Sequence, residues 1–207
     1  MKVIRYSIHF PALIVAGFVF WLARDLDLPA SINNFRVVHY GLMGLLHALA
    51  IVVSLRDRKA IRPLKAFGFI ALAALWSAFT PIAGLWGSIV WLPITAFLPP
   101  SLHNLIIFFI TGSAIGSSGY WLLVRWFWMK SLRRVDLLRT VMLCVAATSL
   151  VGIAGEMAPD SATLNRPELW SDTYELLLTV GWWFAFSISL YWSEMRKYAS
   201  KPTEVIA

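Results

Sequence analysis

Histidines are the side chains of this chain with the clearest potential for chemistry. His39 and His47 are eight residues apart with Met43 midway, so all three fall on one face of a helix. His103 follows a Pro-Pro-Ser break, and we expect it at the same depth as His39. Imidazole commonly ligates haem, copper or zinc, so a haem or copper site on these two histidines is one hypothesis. The alternative that we favour has no cofactor and only hydrogen bonds between helices.

Polar side chains inside apolar runs are the other candidates, because polar groups in a membrane are costly and tend to be functional. Ser77 and Thr80 precede Pro81 and form a kink signature, since proline frees a carbonyl that hydroxyls can bond. His9 is expected apart from the others, at the opposite end of the first apolar run. We predict a polar cavity toward the outer face. Its expected lining is His39, His47, His103, Asn104, Ser77, Thr80 and Glu156.

A face of small residues is predicted for the fourth apolar run. Gly112, Gly116 and Gly119 recur at helical spacing, and such faces let helix backbones approach closely in lipid. The letters Gly-Ser-Ser-Gly at 116–119 resemble the Gly-x-Ser-Gly of rhomboid intramembrane proteases, which are also six-helix proteins. Rhomboids place their histidine base on the last helix, and no histidine follows His103 here. We therefore predict helix packing at this face and no serine nucleophile.

The elements that must position these residues are membrane-spanning helices. The chain is 59% hydrophobic and 14% charged over 207 residues, which is too apolar for one soluble domain. A spanning helix needs roughly 20 apolar residues. We predict an all-α, polytopic bundle forming a single domain, with segment 86–100 re-entrant or interfacial at the outer face because prolines interrupt it. The six predicted spans are 7–23, 37–55, 64–84, 101–128, 137–155 and 174–193.

The distribution of basic residues predicts the orientation. Of the 18 Lys and Arg residues, only Arg24, Arg36 and Arg166 fall on the side opposite to the termini. Lys and Arg are retained on the cytoplasmic side, so we expect both termini inside, in a bacterial inner membrane. The net charge of +7 then reports topology and contact with anionic lipid, and we predict no nucleic-acid binding.

These features favour a transporter or channel component, or a membrane subunit of a larger complex that moves a small solute or ion. The short chain suggests a homo-oligomer or a partner membrane protein. Two alternatives stay open: a haem- or metal-dependent redox protein using His39 and His103, and a non-catalytic scaffold. We do not expect an enzyme.

Overall fold

The computed structural model describes residues 4–23, 37–55, 61–91, 105–156 and 167–199, together with the isolated positions 93 and 97. Within these residues the chain is helical. The sole extended pairing in them is an isolated antiparallel bridge between Ile4 and Leu55. The all-α class predicted from the sequence is therefore confirmed.

Six α-helices follow one another along the chain. They are α1 (Tyr6–Ala23), α2 (Val37–Ser54), α3 (Pro63–Ser88), α4 (Ser113–Phe127), α5 (Arg134–Glu156) and α6 (Pro167–Ala199). A 3-10 turn, Ile89–Trp91, follows α3, and a π-helical segment, Leu105–Gly112, leads directly into α4. Five stretches are long and apolar enough to cross a membrane. These are α1, α2, 63–91, 134–154 and 173–196, which indicates a multi-pass integral membrane protein.

The fourth predicted span, 101–128, is the one that this criterion does not include. Helical structure runs from Leu105 to Phe127, but the geometry changes from π to α after Gly112. The α-helical part alone has 15 residues, about 22 Å, which is shorter than the roughly 30 Å of hydrocarbon. As a sixth membrane-spanning element it stays a prediction.

Each helix packs against its neighbours in the chain, and α6 returns to pack against α1. Successive helices run antiparallel, as the contacts of Gly41 and Gly44 on α2 with α3 show. One end of the bundle therefore collects the starts of α1, α3 and α5 and the ends of α2, α4 and α6. We call this the basic end, because Arg5, Arg133 and Arg196 lie there.

Backbone and carboxylate contacts hold the basic end together. The Arg5 N–H donates to the Ser54 carbonyl over 2.7 Å, which joins the start of α1 to the end of α2. Asp136, in the first turn of α5, accepts from the Arg133 N–H over 2.8 Å. That contact satisfies a donor that the helix leaves unpaired. The same carboxylate lies 3.4 Å from the guanidinium of Arg196 on α6.

Two predicted boundaries are wrong. The third span was expected to end at residue 84, but α3 continues through Pro81 to Ser88 and its 3-10 turn reaches Trp91. The first six residues of the predicted re-entrant segment are therefore helical, and most of its remainder lies outside the described residues. The last span was expected from residue 174, but α6 begins at Pro167, where a missing N–H costs a helix nothing.

Candidate functional site

A fully buried histidine joins three helices near the basic end. His9 of α1 is 0% exposed. Its Nδ1 lies 3.1 Å from the hydroxyl of Ser54 on α2, and its Nε2 lies 2.7 Å from the hydroxyl of Ser187 on α6. Both ring nitrogens are therefore satisfied by hydroxyls from two different helices. We call His9, Ser54 and Ser187 the histidine clamp.

The directions of these hydrogen bonds follow from counting protons. The Ser54 hydroxyl donates its single proton to the Ala50 carbonyl of its own helix. Its oxygen can therefore only accept from His9, which places a proton on Nδ1. In the neutral imidazole Nε2 is then an acceptor, so the Ser187 hydroxyl donates to it. If His9 takes up a second proton, Nε2 becomes a donor and Ser187 must turn its own proton elsewhere.

A carboxylate lies beside the clamp, closer to the end of the bundle. Glu194 of α6 is 3% exposed and accepts from the Tyr6 hydroxyl of α1 over 2.9 Å. The Tyr6 ring is edge-on to the His9 ring, with centroids 6.3 Å apart. An acid, a phenol and an imidazole thus follow one another along the interface between α1 and α6.

A second buried histidine lies deeper in the bundle. His47 is 0% exposed and sits between the rings of Tyr120 on α4 and Trp183 on α6, with centroids 5.0 and 5.6 Å away. Phe186 and Trp182 meet it edge-on. Neither ring nitrogen of His47 has a hydrogen-bond partner among the described residues. An orphaned buried polar atom costs about 1–3 kcal/mol, so this arrangement calls for an explanation. We call these five residues the aromatic cluster.

The two histidines share the bundle interior at different depths. Ser54 and His47 are seven residues apart on α2, which is about 10 Å along the axis and close to two full turns. Ser187 and Trp183 are one turn apart on α6 and face the same way. The aromatic cluster therefore lies directly above the histidine clamp, farther from the basic end.

Small residues let α3 and α4 approach closely. A side chain built on Gly84 would come within 3.2 Å of the Gly112 backbone, and one on Gly116 within 2.9 Å of Thr80. The Trp76 ring fills the space over Gly119, and its indole N–H donates to the Gly116 carbonyl over 3.0 Å. The three glycines predicted for packing thus all face α3.

The hydroxyls of the resembled protease motif are engaged within α4. Ser117 donates to the Ser113 carbonyl and Ser118 to the Ala114 carbonyl, each over 2.7 Å. Among the described residues no imidazole bonds either hydroxyl, so the motif lacks the base that a serine nucleophile requires.

Ser77 and Thr80, the predicted kink hydroxyls, have separate surroundings. The Thr80 hydroxyl donates to the Trp76 carbonyl of the preceding turn over 2.9 Å. Ser77 is 5% exposed and faces α2 at Gly44, where the two helices nearly touch. The carbonyl of Gly44 accepts from Tyr120 over 3.3 Å, so Ser77 lies beside the aromatic cluster.

The outer part of the predicted cavity is only partly described. His39 lies on α2 two turns from His47, on the side away from the basic end. His103 and Asn104 lie outside the described residues, as does the side chain of Glu156 at the end of α5. The pairing of His39 with His103 stays a prediction. In the described part of the chain, no three His, Cys, Asp or Glu side chains come together as a metal site would need.

The histidine clamp and Glu194 are the polar residues that the sequence analysis missed. His9 was noted, but as a lone residue at the wrong end of the chain for the expected cavity. A signal was available, because an ionisable residue within an apolar run is a functional candidate by default. Its partners could not be found, since a sequence gives depth along a helix and not which helices are neighbours.

Comparisons with protein-family models, with curated proteins and with solved structures find no match to this chain. Its functional assignment therefore depends on the chemistry of its own buried residues.

Proposed function

We propose that this integral membrane protein is a transport protein that moves protons, alone or coupled to a small solute, with its basic end facing the cytoplasm. The observation that carries the proposal is the pair of fully buried histidines, His9 and His47, at successive depths of one bundle interior. Ionisable residues inside a membrane are rare and typically line proton relays or substrate paths.

The inner part of the proposed path starts at Glu194, whose carboxylate bonds Tyr6 near the basic end. The next titratable group is His9, with Ser187 as the hydroxyl that must reorient when Nε2 gains a proton. His47 follows about 10 Å deeper. Groups that exchange protons at this spacing need water or a movement between them, so the path is a sequence of sites.

The aromatic cluster supports a carrier over an open pore. Tyr120, Trp183 and Phe186 are each at most 1% exposed and fill the bundle interior around His47. A packed core of this kind excludes water. In the proposed mechanism the cluster is the closed gate, and rearrangement of the helices gives His47 a polar partner that it lacks here.

The outer entrance remains the cavity expected from the sequence. Ser77 lies beside the aromatic cluster and His39 lies two turns beyond His47 on α2. We propose that Thr80, Glu156, His103 and Asn104 complete the entrance. A homo-oligomer or a partner membrane protein would be compatible with this arrangement, as would a location in a bacterial inner membrane.

The test is proton flux into proteoliposomes that contain a trapped pH-sensitive dye. A potassium gradient with valinomycin sets the interior negative and drives proton entry. We expect the wild-type protein to acidify the interior faster than protein-free vesicles. His47→Phe keeps an aromatic ring in the cluster but removes the titratable nitrogens, and we expect it to reduce the flux at least tenfold.

Ser118→Ala is the matched control, because it removes a hydroxyl that bonds only within α4. Its flux should equal that of the wild type. Absence of wild-type flux over the protein-free background would overturn proton movement and favour the scaffold alternative. A Soret band or stoichiometric copper in the purified protein would instead favour the redox alternative on His39 and His103.

A further inference from the structure

An apolar groove on the lipid-facing side of α3 and α4 ends in two cations. The groove has a volume of about 950 Å³ and opens outward from the bundle. Its walls are leucine and aromatic side chains: Leu72, Leu75 and Phe79 from α3, and Leu122, Leu123 and Trp126 from α4. Arg125 and Lys130 border it at the basic end.

The groove is a consequence of the glycine face. Gly119 has no side chain, so the Trp76 ring lies flat against α4 and forms the floor between the two helices. The indole N–H of Trp76 is held by the Gly116 carbonyl. That bond leaves the ring with no polar edge turned toward the groove. The depression is therefore a fixed, apolar surface.

The two cations lie at one end of this surface and are not neutralised by their neighbours. The Arg125 guanidinium lies over the Trp121 ring, 5.6 Å from its centroid, which positions the charge beside the groove. Lys130 is exposed in the turn after α4. Within the described part of the chain neither side chain has a carboxylate partner.

We propose that this groove binds one membrane phospholipid with an anionic head group. An acyl chain lies along Leu72, Leu75 and Leu122, and the head-group phosphate contacts Arg125 and Lys130. The distance from residue 72 to residue 79 along α3 is about 10 Å, a third of the hydrocarbon thickness, which suits the part of a chain nearest its head group. Basic pockets between membrane helices near the cytoplasmic side recognise anionic lipids in this way.

Charge decides between this occupant and the others. A second protein helix or a zwitterionic lipid would match the apolar walls but would leave two adjacent cations without a counter-charge. Free phosphate would match the cations but would leave the apolar groove unused. An anionic phospholipid satisfies both parts of the surface.

The test measures lipid binding to the purified full-length protein by native mass spectrometry. The probes are dioleoyl phosphatidylglycerol and dioleoyl phosphatidylcholine, which have the same chains and differ in head-group charge. A cation near an anionic lipid contributes roughly fivefold to affinity. We therefore expect Arg125→Gln with Lys130→Gln to weaken phosphatidylglycerol binding about 25-fold, to the level of phosphatidylcholine.

Arg134→Gln with Arg139→Gln is the matched control, because it removes the same charge from exposed residues outside the groove. We expect this pair to bind phosphatidylglycerol as the wild type does. Leu122→Trp fills the groove from an exposed position without changing charge, and we expect it to reduce binding of both lipids.

Three results would overturn the proposal. One is equal binding of the two lipids to the wild type. Another is an equal loss of affinity in the two double variants, which would indicate a diffuse charge effect. The last is displacement of phosphatidylglycerol by millimolar inorganic phosphate, which would show that the cations hold phosphate without the chain. If the double variant does not fold, Leu122→Trp decides, since unchanged binding to it excludes the groove.

Discussion

Removing the Ser187 hydroxyl should reveal how strongly the histidine clamp holds α1 to α6. The hydroxyl is 2.7 Å from Nε2 of His9, and both groups are almost fully buried. Ser187→Ala leaves the ring nitrogen without its donor. Hydrogen bonds between membrane helices contribute about 0.6 kcal/mol on average and up to about 1.7 kcal/mol. Because this bond is short and shielded from water, we expect a loss near the upper end, about 1–1.7 kcal/mol.

The same substitution should cost almost nothing when His9 is already absent. In His9→Phe, Ser187 can turn its proton to a carbonyl one turn earlier in α6, as Ser193 does to Ser189 over 2.9 Å. The double variant therefore has no orphaned polar group at this position. We expect a coupling energy of about 1 kcal/mol between His9 and Ser187, which is about fivefold in the unfolding equilibrium constant.

The assay is reversible unfolding in mixed micelles of increasing dodecyl sulfate content, followed by tryptophan fluorescence. Wild type, both single variants and the double variant complete the cycle. Ser118→Ala serves as the matched loss of a hydroxyl and should change stability by less than about 0.5 kcal/mol. A coupling energy below about 0.3 kcal/mol, which is within the error of additivity, would refute the hydrogen bond and with it the proton count for His9.

Three further predictions concern packing, the basic end and orientation. Gly44→Ala should destabilise the bundle by about 1–3 kcal/mol in the same assay, because its Cβ would lie 2.5 Å from the Ala73 carbonyl oxygen. Gly41→Ala is the control, since its nearest neighbour would be 3.5 Å away, and an equal loss at both positions would contradict the close approach. Asp136→Asn should cost about 1 kcal/mol through its cap on α5, and more than Arg196→Gln, whose half-exposed ion pair contributes little; the reverse order would contradict this ranking. In a Cys144→Ala background, a membrane-impermeant thiol reagent applied to whole cells should label a cysteine placed at residue 161 and spare one at 131, and the opposite labelling would invert the proposed orientation.

Hydropathy predicted where helices cross the membrane and failed where they extend beyond it. The starts of α1 and α2 and the end of α5 fall within one residue of the predicted limits. The start of α6 does not, because residues 167–172 include polar and acidic side chains. Such residues are unsuited to lipid but form a helix well. Pro167 and Glu168 are a typical helix start, so local chemistry contained the signal that average hydropathy hid.

Lateral contacts were predictable only as faces. The spacing of Gly112, Gly116 and Gly119 indicated a close approach, but nothing in their spacing selects α3 as the partner or places Trp76 over Gly119. His9 shows the same limit more strongly. Its depth was correctly assigned to the end of the first run, yet its two serine partners are 45 and 178 residues away in the chain. Pairings at such separations depend on the order of helices around the bundle.

The two buried histidines differ in a way that bears on movement. His9 has a partner on each nitrogen, so the conformation observed here satisfies it fully. His47 has stacked rings on both faces and no partner on either nitrogen among the described residues. Packing contacts with Tyr120 and Trp183 must outweigh the cost of about 1–3 kcal/mol for each orphaned group. A second conformation that opened the stack and hydrated His47 would regain that cost while losing the ring contacts. Because the opposing terms are of similar size, a small change in the energy of the stack should shift the balance between a closed and an open interior.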